Sequence, residues 1–170
     1  MTPVLAFDPG GRKSGVVLRD RDELIGWQLV VRTGDGRMPR DGHYLRAVLE
    51  AGLDLLRKAG IPPPLRDRYV VGVEEVAYWP EAKGSKVRRD QRGLYGTAMV
   101  YGAILTRWPD AVVVDSGRGV GKLHPSVYPL PIRGKQGGKG TDRLVDVRAA
   151  WDHSYAAETV HLQTIREARP

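Results

Sequence analysis

The sequence predicts an α/β fold in which a mixed five-stranded sheet, made of an antiparallel hairpin plus parallel strands, carries helices on both faces. Three observations predict this fold. Short apolar runs end at Pro or Gly turns, as buried strands do. Two β-rich runs near the N-terminus flank the charged turn "RDRDE" and so form a hairpin. The later strands alternate with segments of helical periodicity, which is typical of parallel strands joined by helices.

The elements are predicted in the order β-β-β-α-β-α-β-α. The first strand is "VLAF", residues 4–7, and the hairpin strands are residues 14–18 and 24–31. Leucine and valine at helical spacing predict a helix over 43–59, which Gly60 and the prolines after it end. The remaining elements are a buried strand in "RYVVGVEEV", a helix over 91–108, a buried strand in "AVVVDS" and a helix over 141–166.

Composition limits the class of protein. The chain has 170 residues, 41% of them hydrophobic and 28% charged, which suits one folded domain over residues 1–170. The net charge of +7 favours an anionic partner such as nucleic acid. The chain has no cysteine, which excludes thiolate metal sites and fits a cytoplasmic protein. It also has no apolar stretch of about 18 residues, so we expect no membrane partner.

Carboxylates stand at the ends of two predicted buried strands. Asp8 follows "VLAF" and enters a Pro-Gly-Gly bend, and Glu74 and Glu75 follow "VVGV". Since parallel strands end at one edge of a sheet, these acids are expected to meet there, together with Asp152 of the last helix. Either the backbone amides of the bend or a cation must satisfy Asp8. Mg²⁺ suits such a group because it prefers oxygen ligands, although each acid alone has the alternative of a turn or solvated residue.

Three motifs resemble those of the RuvC-type Holliday junction resolvases, which have the RNase H fold. "DPGGRKSG" resembles the opening motif of that family, with Gly10 and Gly15 at its two glycine positions. "VGVEEVA" resembles the second motif and selects Glu74, while "AAWDHSYAA" resembles the motif of the last helix and selects Asp152. The resemblance extends over nearly the whole chain because the predicted order of elements also agrees with the family.

The resemblance implies an RNase H-like, metal-dependent endonuclease that resolves four-way DNA junctions. It implies that Asp8, Glu74 and Asp152 are the catalytic residues and hold two Mg²⁺ ions, for which Mn²⁺ would substitute. Two ions so held hydrolyse phosphodiesters in many nucleases. It further implies a homodimer that makes paired nicks, which suits the two-fold symmetry of enzyme and junction. Both a cellular source and a phage source fit the sequence. The sequence also fits a protein that acts with a helicase partner and one that acts without it.

One position departs from the family pattern. The family usually carries an acid or a His three residues before the helix Asp, and this position is Ala149. Asp146 lies six residues before Asp152, about 120° away around the helix, which makes it a poor substitute. His153 is adjacent to Asp152 but is expected to point off the face of the other ligands. A three-ligand site and a contribution from Asp146 or His153 therefore both stay open.

Two basic segments are candidates for DNA contact. The predicted loop 116–140 contains no acid, and a loop of this length in a compact domain favours a functional role. Its candidate phosphate contacts are Arg118, Lys122, Lys135 and Lys139. The segment after Glu74 mixes aromatic and basic residues, a pattern that suits unstacked bases. Its candidates are Tyr78, Trp79, Lys86 and Arg88. A solvated loop and simple packing of the aromatics are the alternatives.

Two other functions fit the same residues. A second type of nuclease with this fold would act on flaps or RNA–DNA hybrids, and a panel of labelled substrates separates it from a junction resolvase. A non-catalytic junction-binding protein would bind junctions tightly without cutting them, and the missing acid at Ala149 favours that alternative.

Overall fold

The structure is a computed structural model, and it describes residues 2–33, 42–63, 66–76, 91–115, 125–133 and 144–168. Within these ranges the predicted order of strands and helices is confirmed. The strands are β1 Val4–Asp8, β2 Lys13–Asp20, β3 Glu23–Val31, β4 Val70–Glu74 and β5 Val112–Val114. The helices are α1 His43–Lys58, α2 Gln91–Arg107 and α3 Val145–Glu167. Short 3-10 helices span Arg66–Arg68, Pro125–Val127 and Leu130–Ile132.

The strands form one mixed sheet in the order β3-β2-β1-β4-β5. β2 is antiparallel to β1 and β3, whereas β4 is parallel to β1 and β5. Phe7 of β1 pairs with Val73 of β4. The residues that follow this pair, Asp8 and Glu74, therefore lie side by side at the C-terminal edge of the two central strands.

Helices cover both faces of the sheet, as predicted. α1 and α2 pack on the face that carries Leu5, Phe7 and Val73. α3 and residues 125–133 pack on the opposite face. The second core consists of Val17, Tyr128, Ile132, Val147, Ala150 and Trp151. Since full burial of one such apolar side chain contributes about 1.5–3 kcal/mol, these contacts fix how α3 lies on the sheet.

The end of α1 shows why its predicted boundary is confirmed. Gly60 has a φ of 70°, the left-handed conformation that glycine adopts readily. Its amide donates to the carbonyl oxygen of Arg57 over 3.0 Å. The amide of Ile61 donates to the carbonyl oxygen of Leu56 over 2.9 Å. This pair of bonds satisfies carbonyl groups that the last turn leaves without helical partners.

The predicted loop 116–140 is wrong in its central part. Residues 125–133 form two 3-10 turns that dock on the core, with Tyr128 and Ile132 almost fully buried. Isolated apolar residues between glycines and prolines have no period, so the sequence gives no sign of this docking. In the part of the chain that the structure describes, no helix has the length and apolar character needed to cross a bilayer.

Candidate metal centre

Two backbone amides of the bend after β1 have partners other than the carboxylate of Asp8. The amide of Gly10 donates to Ser14 Oγ over 3.1 Å, and that of Gly11 donates to Thr97 Oγ1 over 3.0 Å. Both amides are thus engaged by hydroxyl groups of β2 and α2, not by the Asp8 carboxylate. Because the bend does not compensate this partly buried charge, a cation is the better candidate partner.

Tyr44 of α1 braces the same bend. Its hydroxyl donates to the carbonyl oxygen of Gly10 over 2.8 Å and lies 2.8 Å from Ser14 Oγ. Burial raises the pKa of Tyr44 to about 12, so this hydroxyl keeps its proton in neutral solution. Arg32, the residue after β3, donates a hydrogen bond to the carbonyl oxygen of Gly11 over 3.3 Å. The backbone that presents Asp8 is therefore fixed from several elements of the fold.

Three side chains meet at the edge of the sheet. Asp8 ends β1, Glu74 ends β4, and His153 reaches them from α3. One ligand atom from each lies within 4.8 Å of the others. Nε2 of His153 is 3.5 Å from Oε2 of Glu74. Glu75, the next residue along the chain, is exposed instead.

The two carboxyl groups cannot both carry a full charge at low cost. Burial raises the pKa of Asp8 well above its ordinary value, and the hydrogen bond to Glu74 and the charges of Glu74 and Asp146 raise it further. Burial also acts to raise the pKa of Glu74, but the contacts with His153 and Asp8 outweigh it and lower this pKa. The carboxyl group of Asp8 therefore takes up a proton more readily than that of Glu74.

The imidazole of His153 provides the second sign of a cation site. His153 is 2% exposed, and its Nε2 atom has no hydrogen-bond partner among the described residues. A buried polar atom without a partner is costly, yet this one points toward two carboxylates. Two carboxylates and one imidazole are a donor set that can hold a divalent metal ion. The side chains present thus fit a metal centre.

The packing of α3 on the sheet determines which helix residues enter the centre. A side chain on Gly72 of β4 would lie 2.6 Å from Cβ of Ala157 and 3.7 Å from the carbonyl oxygen of His153. At the start of α3 the approach is closer still, since a Cβ atom on Gly15 would lie 2.0 Å from the carbonyl oxygen of Asp146. Asp146 and His153 are seven residues apart, which is nearly two full turns, so both lie on the face toward the sheet.

This packing corrects the expected orientation of His153. The prediction that His153 points off the site is wrong, because its imidazole contacts Glu74. Asp146, expected to be a poor substitute for the missing acid, acts on Asp8 through its charge. The seven-residue spacing of Asp146 and His153, with the small residues Ala150 and Ala157 on the same stripe, was the signal available in the sequence.

Asp152 lies in a different environment from His153. Its Oδ2 atom accepts a hydrogen bond of 3.0 Å from the hydroxyl of Tyr128. Among the described residues, the group of possible metal ligands contains Asp8, Glu74 and His153 and does not include Asp152. The role of Asp152 as a ligand therefore stays a prediction.

Comparison with known proteins rests on structure. No protein-family model matches the chain, and no curated protein matches its sequence. RuvC from Thermus thermophilus in complex with a Holliday junction substrate matches with a TM-score of 0.57 and 18% identity, over 94% of this chain and 96% of that chain. A second Thermus thermophilus RuvC structure matches with a TM-score of 0.50 and 15% identity, over 94% and 97%. This chain has the RuvC fold. The predicted RNase H-like architecture is thereby confirmed.

The predicted DNA contacts do not fall on the part of the RuvC fold that the structure describes. They occupy two stretches before and after residues 125–133 and one stretch after β4. The residues outside the described ranges are Tyr78, Trp79, Lys86, Arg88, Arg118, Lys122, Lys135 and Lys139. Their role as DNA contacts stays a prediction.

Proposed function

We propose that the whole chain, residues 1–170, is a metal-dependent, structure-selective DNA endonuclease that resolves four-way junctions by paired nicks. One observation carries the proposal: Asp8, Glu74 and His153 converge at the sheet edge of a RuvC fold. The solved relative of highest TM-score given above is bound to a Holliday junction substrate, and this chain's net charge of +7 suits a polyanionic partner.

The residues of the chain have distinct roles in this proposal. Asp8 and Glu74 would hold the metal ions through carboxylate oxygens, and His153 would contribute its Nε2 atom from α3. Mg²⁺ or Mn²⁺ held there would supply a nucleophilic water and charge stabilisation for the leaving oxygen of a phosphodiester. Tyr44, through Gly10, keeps the backbone of Asp8 in place, which preserves the close approach of the two carboxylates.

Binding of branched DNA and assembly into a homodimer complete the proposal. The basic residues predicted at 118, 122, 135 and 139 would contact phosphates, so junction affinity should fall steeply with salt. Two copies related by a two-fold axis would present one metal centre to each of two opposite strands. Sedimentation of the protein with and without a junction measures the number of copies.

The test is cleavage of a substrate panel by the wild type and by Asp8→Asn. The panel contains a labelled four-way junction, a flap, an RNA–DNA hybrid and a linear duplex, each with Mg²⁺, with Mn²⁺ and with EDTA. Asp54→Asn is the matched control, because Asp54 is an acid on α1 whose side chain is 47% exposed and pairs with Arg57. Symmetric nicks in the junction, retained in Asp54→Asn and lost in Asp8→Asn, are the expected result.

The other outcomes separate the rival functions. Equal cleavage of flaps or hybrids would assign a broader nuclease of the same fold. Tight junction binding without cleavage in either metal would assign a junction-binding protein, the alternative that Ala149 favours because its side chain offers no ligand. Failure to bind any branched DNA would refute the proposal.

A further inference from the structure

Segment 125–133 is fastened to α3 through Tyr128. The side chain of Tyr128 is 2% exposed, and its hydroxyl donates to Oδ2 of Asp152 over 3.0 Å. The guanidinium of Arg148, one turn earlier on α3, lies 5.4 Å from the centre of the Tyr128 ring. The ring and the hydroxyl of Tyr128 therefore each contact a side chain of α3.

The rest of the segment is organised around the same tyrosine. The carbonyl oxygen of Tyr128 accepts from Nε of Arg133 over 3.2 Å, and that of Ser126 accepts from Nη2 of Arg133 over 3.3 Å. Ile132 is fully buried in the core that Val147 shares. These contacts close residues 125–133 into a compact unit, so a change at Tyr128 acts on the whole segment.

The location of this unit links it to the metal centre. Asp152, which holds Tyr128, and His153, which contacts Glu74, are consecutive residues of α3. Along the chain the unit stands between the two basic stretches, since Lys122 comes three residues before it and Lys135 two residues after it. Both basic stretches are therefore connected to this unit along the chain.

We propose that Asp152, acting through Tyr128, is a positioning residue that holds segment 125–133 on α3 and thereby sets the affinity for branched DNA. This inference rests on the proposed function for its ligand, branched DNA. It differs from the prediction that Asp152 binds metal. The main requirement at residue 152 is then an acceptor for the tyrosine hydroxyl and not a second charge at the metal centre.

The variants separate these two roles. Tyr128→Phe removes the donor and Asp152→Ala the acceptor, whereas Asp152→Asn keeps a carbonyl oxygen that accepts the same bond. The amide of Asn is a weaker metal ligand than a carboxylate, so a ligand role would not survive that change. Tyr155→Phe is the matched control, because its hydroxyl donates to Asp22 over 3.1 Å from an exposed position on the same helix.

Three quantities are measured for each variant of the full-length protein: amide hydrogen exchange over 125–133, Mn²⁺ affinity by calorimetry, and the Kd and single-turnover cleavage rate for a four-way junction. For Tyr128→Phe and Asp152→Ala we expect the amide exchange rate over 125–133 and the Kd for the junction each to rise roughly tenfold, because a hydrogen bond to a charged acceptor is lost. Mn²⁺ affinity and the cleavage rate at saturating junction should stay near those of wild type. Asp152→Asn should stay within about fivefold of wild type in Kd, and Tyr155→Phe should not change it.

The double variant Tyr128→Phe/Asp152→Ala should bind the junction no more weakly than either single variant, because both substitutions remove the same hydrogen bond. Loss of Mn²⁺ binding and of cleavage in Asp152→Asn would overturn the inference in favour of a metal ligand. An unchanged amide exchange rate over 125–133 in Tyr128→Phe would also overturn the inference, independently of the results for DNA binding and cleavage. A wild type that binds no branched DNA would refute the proposed function and, with it, the DNA-affinity part of this inference.

Discussion

Gly15 of β2 is where the first turn of α3 touches the sheet, and Gly15→Ala tests that contact. Gly15 pairs with Asp8 in the β1–β2 register. A Cβ atom on Gly15 would lie 2.0 Å from the carbonyl oxygen of Asp146, 2.3 Å from its carbonyl carbon and 2.7 Å from the amide nitrogen of Val147. These are backbone atoms of a helix and cannot rotate away, so α3 must shift by about 1 Å or more to restore ordinary contact distances.

We expect the shift to cost about 3 kcal/mol, the upper part of the usual range for overpacking. In a chain of this size that cost lowers Tm by about 6–12 °C. Displacement of α3 also moves His153 away from Glu74, and a 1 Å error at a reacting centre reduces rates roughly 100-fold. Thermal unfolding followed by circular dichroism measures the first effect, and single-turnover junction cleavage measures the second.

Gly102→Ala is the control for the same chemical change. Gly102 lies inside α2, and among the described residues no atom comes within 4 Å of a Cβ added there. Alanine should stabilise this helix by about 1 kcal/mol and raise Tm by about 2–4 °C. A Gly15→Ala protein that melts within about 2 °C of wild type would refute the packing of α3 on β2 described above.

Four further predictions concern the stability of the fold and of the metal centre. Arg19→Met should destabilise the fold by about 3 kcal/mol in urea titrations, because it leaves Glu158 without the buried guanidinium that pairs with it over 2.6 Å; an unchanged urea midpoint would contradict the role of this pair. Tyr44→Phe should cost about 1–3 kcal/mol in the same assay, since the carbonyl oxygen of Gly10 loses its 2.8 Å partner; a cost under about 0.5 kcal/mol would contradict the bracing of the bend. Asp8→Asn should raise the stability of the metal-free protein at neutral pH on the order of 1 kcal/mol, because the raised pKa of Asp8 means that ionising this carboxyl group costs more in the folded protein than in the unfolded chain. Mn²⁺ should raise the Tm of wild type and leave that of Asp8→Asn unchanged, and an equal rise in both would place the ion elsewhere.

The sequence was sufficient for the sheet and for two residues of the site. Apolar runs identify β1 and β4, and parallel pairing then brings Asp8 and Glu74 together without further information. The helix residue could not be deduced in the same way. α3 is buried over a wide arc, which includes Arg148, Trp151 and Ser154, so its apolar pattern does not show which face lies toward the sheet.

Backbone contacts decide the orientation of α3. The close approach of the helix to Gly15 and Gly72 brings His153 to Glu74 and leaves Asp152 facing Tyr128. The partner of Asp152 lies in a segment that carries no periodic pattern, so no reading of the helix alone could find it. Asp152 and His153 are thus neighbours on α3 that contact different groups, and the family motif does not show which of them reaches the edge of the sheet.

The most direct test of the metal centre is an anomalous difference map from crystals of the protein soaked in Mn²⁺, with His153→Ala crystals as the control. We expect a peak bounded by the carboxylates of Asp8 and Glu74 and by Nε2 of His153, weakened in the variant. A peak bounded by Asp152 and Asp8 instead would contradict the assignment of His153. The absence of any peak at this edge of the sheet, under conditions where Mn²⁺ supports junction cleavage, would contradict a metal centre formed by Asp8, Glu74 and His153.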